Sequence, residues 1–217
     1  FKVLQPQRTS RLIALMGLKK NDRLVECCLM YRNQQVLIAS KEGNIVRYEM
    51  NQIPKTSLKA QGVKAMNLSK GDEVAAMTLC NSKSLNVAVY SDQGTSKRVK
   101  LSDLALMKRP VKGDSLYKKV KSNPSYVRYI FATQTYDEIH FMGDDERKVV
   151  AKDITLMDKT STLSATGKLV GRFYLLKGIE EVRVEDFVLD EELPADDTLN
   201  YDEGKSSGDV EIFNLNL

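Results

Sequence analysis

The side chains able to do chemistry in this sequence are few, and most are cations. The one histidine, His140, sits on the alternating run EIHFM and reads as a strand side chain. Without a second histidine, neither a metal site of ordinary ligands nor a Ser-His-Asp set can be built. Cys27, Cys28 and Cys80 form no CxxC pair and no zinc spacing, and they read as buried thiols in a reducing, cytoplasmic setting. No paired carboxylates or glycine-rich phosphate loop stand out, so no catalytic residue, metal or cofactor is expected. What recurs is positive charge. The chain of 217 residues has a net charge of only +4, but from Glu185 onward there are 11 acidic residues and one basic residue, Lys205. Residues 1–184 therefore hold 18 acidic and 32 basic residues, a net +14. A basic body with an acidic tail points to a polyanionic partner, with the tail either solubilising the chain or competing for the same surface.

The elements that must position these cations repeat. The stretch QVLIASKEGNIVRY, residues 35–48, reads as two strands around a tight turn, and weaker copies follow in LNVAVYSDQGTSKRVKL and EIHFMGDDERKVVA. Gly94 lies 51 residues after Gly43, and Gly113 lies 51 after Gly62. A period near 50 describes an array of units that bury their apolar faces on their neighbours, and with strands as the content the array is a ring of blades. Within this frame Arg47, Arg98 and Lys148 share one position beyond the hairpin turn. Lys20, Lys70 and Lys121 share another, each just before a turn. On SKRVKLSD, Val99 and Leu101 alternate with Arg98 and Lys100, which predicts one packed face and one basic, solvated face. The loop MKRPVKGD adds Lys108, Arg109 and Lys112, followed by Lys118, Lys119 and Lys121. An earlier basic loop, IPKTSLKAQGVK, supplies Lys64, and Arg172 closes the last one. Equivalent positions on successive blades would turn these charges into a belt.

The repeats divide the chain into a partial blade at 1–32, blades at 33–82 and 83–133, a degenerate blade at 134–190, an acidic linker at 191–209 and a candidate closing strand at 210–217. In the partial blade, Leu18, Asn21, Asp22 and Leu24 answer Leu68, Gly71, Asp72 and Val74, but the hairpin that should precede them is missing. A composition of 42% hydrophobic and 29% charged residues is that of an ordinary folded domain. No apolar run or signal sequence calls for membrane insertion or export.

Taken in order, KNDRLVECCLMYRNQQVLIASKEGNIVRYEMNQIP, LKAQGVKAMNL, KRPVKGDSLYKKVKSNP and YIFAT resemble the C-terminal domain of bacterial type IIA topoisomerase A subunits, most closely that of topoisomerase IV from Gram-positive bacteria. The resemblance runs over residues 12–187 and implies an all-β fold, the β-pinwheel, a propeller-like ring of blades that exchange strands with their neighbours. Three complete repeats and a half are visible where the family has five or six, so the ring is expected to be N-terminally incomplete. The resemblance also implies binding and bending of duplex DNA on a basic rim, presenting it to a catalytic core outside this chain. Decatenation and supercoil relaxation would then be activities of a cytoplasmic, nucleoid-associated holoenzyme that holds the remainder of the topoisomerase A polypeptide and the ATPase B polypeptide. The fragment itself is expected to be monomeric. A gyrase A domain is the alternative within the family. Gyrase A polypeptides carry a Gln-Arg-Arg-Gly-Gly-Lys-Gly box, which this sequence lacks; Ala60-Gln61-Gly62-Val63-Lys64 and Lys108-Arg109-Pro110-Val111-Lys112-Gly113 are degenerate forms.

The expected DNA-binding residues are Arg47, Lys64, Arg98, Lys100, Lys108, Arg109, Lys112, Lys118, Lys119, Lys121, Lys148 and Arg172. Contact with about 6 phosphates would give a slope of log K against log salt of roughly −5. A propeller scaffold whose basic loops meet an acidic protein is the rival from another class, and it predicts no bent-DNA complex.

Overall fold

A computed structural model describes residues 16–30, 33–56, 59–142, 146–163 and 174–177. Arg172, the acidic linker and the candidate closing strand lie outside them. The described chain is all-β, with no α-helix and ten strands. These are β1 (Gln35–Ser40), β2 (Asn44–Glu49), β3 (Val74–Cys80), β4 (Asn86–Ser91), β5 (Ser96–Lys100), β6 (Asp114–Ser115), β7 (Val127–Thr133), β8 (Glu138–Met142), β9 (Glu146–Val150) and β10 (Tyr174–Lys177). They form three antiparallel sheets in the orders β3-β1-β2-β6, β5-β4-β7 and β10-β8-β9.

The 50-residue period is visible in backbone detail. Each hairpin ends in a single 3-10 turn, at Met50–Gln52, Leu101–Asp103 and Ala151–Asp153. The amide of the next residue, Ile53, Leu104 or Ile154, closes back on the first carbonyl of its turn. All three of these residues are buried, which anchors each turn from below. The first two repeats also share a register shift where the first strand of the hairpin pairs with the third strand, between Ala39 and Ser40 and between Tyr90 and Ser91.

Apolar side chains on the strands explain how the sheets stack. Along β1, Leu37 and Ala39 join the core shared with β4, while Val36 and Ile38 join a second core on the opposite face. Along β4, Val87 and Val89 face the first sheet; Ala88 and Tyr90 face Ile139 and Ile154 of the third repeat. A sheet covered on both faces needs continuous apolar runs, hence VLIA in β1 and VAVY in β4.

Strand exchange supplies the remaining edge. After its own 3-10 turn, the second repeat runs back along β2: the Met107 amide donates to the Arg47 carbonyl, and β6 pairs with Asn44 and Ile45. The third repeat does the same to β5, where the Arg98 backbone bonds Thr155 and Met157. Gly113 makes the exchange possible. Its φ is +87°, and a Cβ there would overlap the Ile45 carbonyl. The segment 23–30 aligns with β3 but is not a strand and pairs with no described strand, although Val25 and Met30 pack against the apolar face of the first sheet. The preceding turn nevertheless matches: Asn21 (φ +68°) and Gly71 (φ +81°) both take left-handed backbone, and Asp22 and Asp72 each close on the carbonyl three residues back.

The unpaired segment corrects one expectation. Cys80 is buried at the end of β3, but Cys27 and Cys28 are exposed, on a segment that pairs with no described strand. Among the described residues no helix is long and apolar enough to cross a membrane.

Candidate nucleic-acid interface

The expected site residues separate into three environments. The first is the outer edge of the first sheet, where the exchanged segment 105–113 meets the loop between the Met50–Gln52 turn and β3. Arg109 holds the two together. Its Nε donates to the Gln52 carbonyl at 2.6 Å, its Nη1 to the Lys64 carbonyl at 3.2 Å, and its amide to Gln52 Oε1 at 3.1 Å. From the other direction, Gln52 Nε2 donates to the Met107 carbonyl, and Asn67 bonds both Val111 and Pro110. Arg109 is thus half-buried and structural in part, while Lys64, Lys108 and Lys112 around it are exposed. Among the described residues none of these three lysines forms an ion pair.

The second environment is the blade tip, where the hairpin turn of each of the first two repeats lies against the turn that leads into its third strand. The Glu42 amide donates to Asp72, and Gln93 donates to Asn123 and to the Pro124 carbonyl. Lys118, Lys119 and Lys121 are exposed here. Charge at the tip is largely matched: Lys119 pairs with Glu42, and Glu73 takes both Lys41 at 2.9 Å and Arg23 at 3.5 Å. These contacts hold the Glu73 carboxyl below its usual value, with the Lys41 hydrogen bond the largest cause. Lys100, at the end of β5, and Lys148, on β9, are exposed as well.

The third environment is the interior, and it overturns the expected solvated face of β5. Ser96, Lys97, Arg98 and Val99 are all buried. The reason is the exchanged segment of the third repeat, which covers the edge that alternation alone would leave to solvent. Arg98, only 9% exposed, donates from Nε to the Ile154 carbonyl at 2.9 Å and from Nη2 to the Lys152 carbonyl at 3.3 Å. Desolvation by burial lowers its pKa. Arg47 is half-buried and does the same one repeat earlier: Nη1 donates to the carbonyls of Leu101 (2.8 Å) and Leu104 (3.1 Å), and Nε to Gln35 Oε1. The register confirms that Arg47, Arg98 and Lys148 are equivalent, opposite Leu37, Ala88 and His140 respectively. Equivalence in register does not bring equivalence in exposure.

Lys97 is a residue that the sequence pattern alone does not single out. It is fully buried, and its Nζ donates to the carbonyls of Asp158 at 2.7 Å and Ser161 at 2.9 Å, with Lys159 at 3.4 Å. Burial lowers its pKa to about 8, against a smaller opposing effect of Asp158. The signal is present in the period, because Lys97 lies 51 residues after Val46, a fully buried apolar position. A lysine where the preceding repeat has valine marks a cation held by carbonyls.

Comparison with known proteins agrees with this architecture. Residues 34–81 and 86–121 match the family described as DNA gyrase C-terminal domain, beta-propeller. The DNA gyrase A polypeptide of Borrelia hermsii is 28% identical over 156 residues, covering 70% of this chain and 18% of that protein. The DNA topoisomerase 4 A polypeptide of Staphylococcus aureus is 30% identical over 106 residues, covering 49% of this chain and 13% of that protein. The chain thus spans less than a fifth of either relative. Among solved structures, the C-terminal domain of DNA topoisomerase IV superposes with a TM-score of 0.70 at 21% identity, covering 86% of this chain and 61% of that one. A DNA gyrase A C-terminal domain superposes with a TM-score of 0.60 at 22% identity, covering 66% of this chain and 50% of that one.

Proposed function

We propose that the chain is a C-terminal β-propeller domain of a type IIA topoisomerase A subunit, a reading supported by the family match over residues 34–81 and 86–121 and by the gyrase and topoisomerase relatives, and that it binds and bends duplex DNA without reading its sequence. The observation that carries the reading is the outer edge of the first sheet, where strand exchange gathers exposed Lys64, Lys108 and Lys112 around Arg109, none of the three lysines forming an ion pair among the described residues. Flexible ammonium groups of this kind neutralise phosphates and release condensed counterions, which gives affinity without base recognition. Lys100 and Lys148 extend the positive surface to the later repeats, and Lys118 and Lys121 extend it to the tip. Bending costs on the order of a few kcal/mol, so contacts on more than one blade are required to offset it.

Within the family we assign the chain to topoisomerase IV rather than gyrase, supported by the lack of the gyrase box in these 217 residues. The DNA held here would be passed to the catalytic core of a cytoplasmic holoenzyme for decatenation and supercoil relaxation, with the remainder of the topoisomerase A polypeptide and the ATPase B polypeptide as partners.

Binding of a labelled duplex across a salt series tests the reading. About 4 to 6 phosphate contacts predict a slope of log K against log salt between roughly −4 and −5. A slope near zero, or capture of an acidic protein in place of DNA, would move the function to a protein partner.

A further inference from the structure

We propose that Arg47 and Arg98 are positioning residues that fix the direction from one blade to the next, and so set the path of the DNA without touching it. The inference rests on the DNA-binding reading above. Both arginines project from the sheet face that packs against the following repeat, Arg47 opposite Leu37 and Arg98 opposite Ala88. Each uses its guanidinium to hold the 3-10 turn of that repeat: Arg47 takes the Leu101 and Leu104 carbonyls, and Arg98 takes Lys152 and Ile154. Each also bonds, through its own backbone, the exchanged strand that leaves that turn, at Met107 and Met157.

A single residue therefore fastens both ends of the short link between a blade's hairpin and the strand it gives back. Two of the three exposed lysines of the first edge, Lys108 and Lys112, lie directly downstream of one such link, beginning one residue after Met107. Loosening the turn would let that cluster move relative to the next blade while its charge stays the same. Lysine at either position keeps the charge but lacks the planar guanidinium, so it does not reproduce donation from two separate nitrogens, Nη1 to the turn with Nε to Gln35 at Arg47 and Nε to Ile154 with Nη2 to Lys152 at Arg98.

The test uses the intact chain and the variants Arg47→Lys and Arg98→Lys. Hydrogen exchange is read first, without DNA. In Arg47→Lys the Met107 amide should exchange about tenfold faster while Met157 is unchanged, and Arg98→Lys should give the reverse. A short duplex labelled at both ends is then read by energy transfer at saturating protein. Both variants should bend it less than the parent does, with affinity at low salt within about threefold and an unchanged salt slope.

Unchanged bending and unchanged local exchange would overturn the proposal, as would a uniform rise in exchange over the whole chain. Alanine variants at the same positions separate positioning from direct contact. A drop in salt slope of about 1 per arginine, with Met107 and Met157 still protected, would make these residues phosphate ligands instead. If the parent fails to bind or bend DNA, the functional reading has failed, while the exchange data still decide whether the arginines act as local clamps.

Discussion

The exchanged segment around Lys108 and the strand β5 around Arg98 are equally basic in sequence, yet the fold uses them in opposite ways. At the first, only the arginine is drawn inward, and its lysine neighbours remain in solvent. At the second, both Lys97 and Arg98 are buried and spend their donors on main-chain carbonyls of the next repeat. The difference follows from position in the exchange. A segment laid over the outside of a blade presents one side to solvent, whereas the strand it covers loses that side.

The sharpest way to break this contrast is to prevent the exchange. Gly113→Ala combines a φ of +87° with overlap on the Ile45 carbonyl, and it should cost roughly 3 kcal/mol or more by urea unfolding. DNA affinity should fall with it, since the cluster is seated by the same segment. Retained stability would show that the segment is not fixed by this contact.

A pH series sharpens the interior side of the contrast. The folded pKa of Lys97 is about 8, below its ordinary 10.5, so the unfolded chain binds more protons between those values. Stability from this group therefore rises with pH across that window and is lowest below pH 8. Against Lys97→Met, the parent should gain on the order of 2 kcal/mol between pH 8 and 10.5. Parallel pH profiles would mean that the buried ammonium is not strained.

The smallest effect belongs to the tip. Lys119→Ala removes an exposed pair with Glu42 and should change stability by about 0.5 kcal/mol or less. A loss of several times that would promote the tip contact to a blade-to-blade fastening comparable with Arg98.

Much of the fold is legible in the sequence. Gly43 and Gly94 mark hairpin turns, the 51-residue spacing aligns Arg47 with Arg98, and the Asn21 turn anticipates the Gly71 turn. Exposure is not legible in the same way. The alternation of Arg98 with Val99 is that of a half-solvated strand, but a strand buried by a segment some 57 residues later carries no local sign of its cover. Comparison between repeats carries such a sign where alternation does not, as Val46 against Lys97 shows. The exposed lysines of the first edge lie on loops, where no strand period has to be interpreted, and their exposure follows from the sequence directly.

The most direct test of the account is the salt dependence of duplex binding in two variants of the intact chain, Lys64→Gln with Lys108→Gln and Lys112→Gln, and Arg47→Lys with Arg98→Lys. The account predicts that the first loses about 3 from the magnitude of the salt slope without losing stability, while the second keeps the slope of the parent. An unchanged slope in the lysine variant, or a reduced one in the arginine variant, would contradict it.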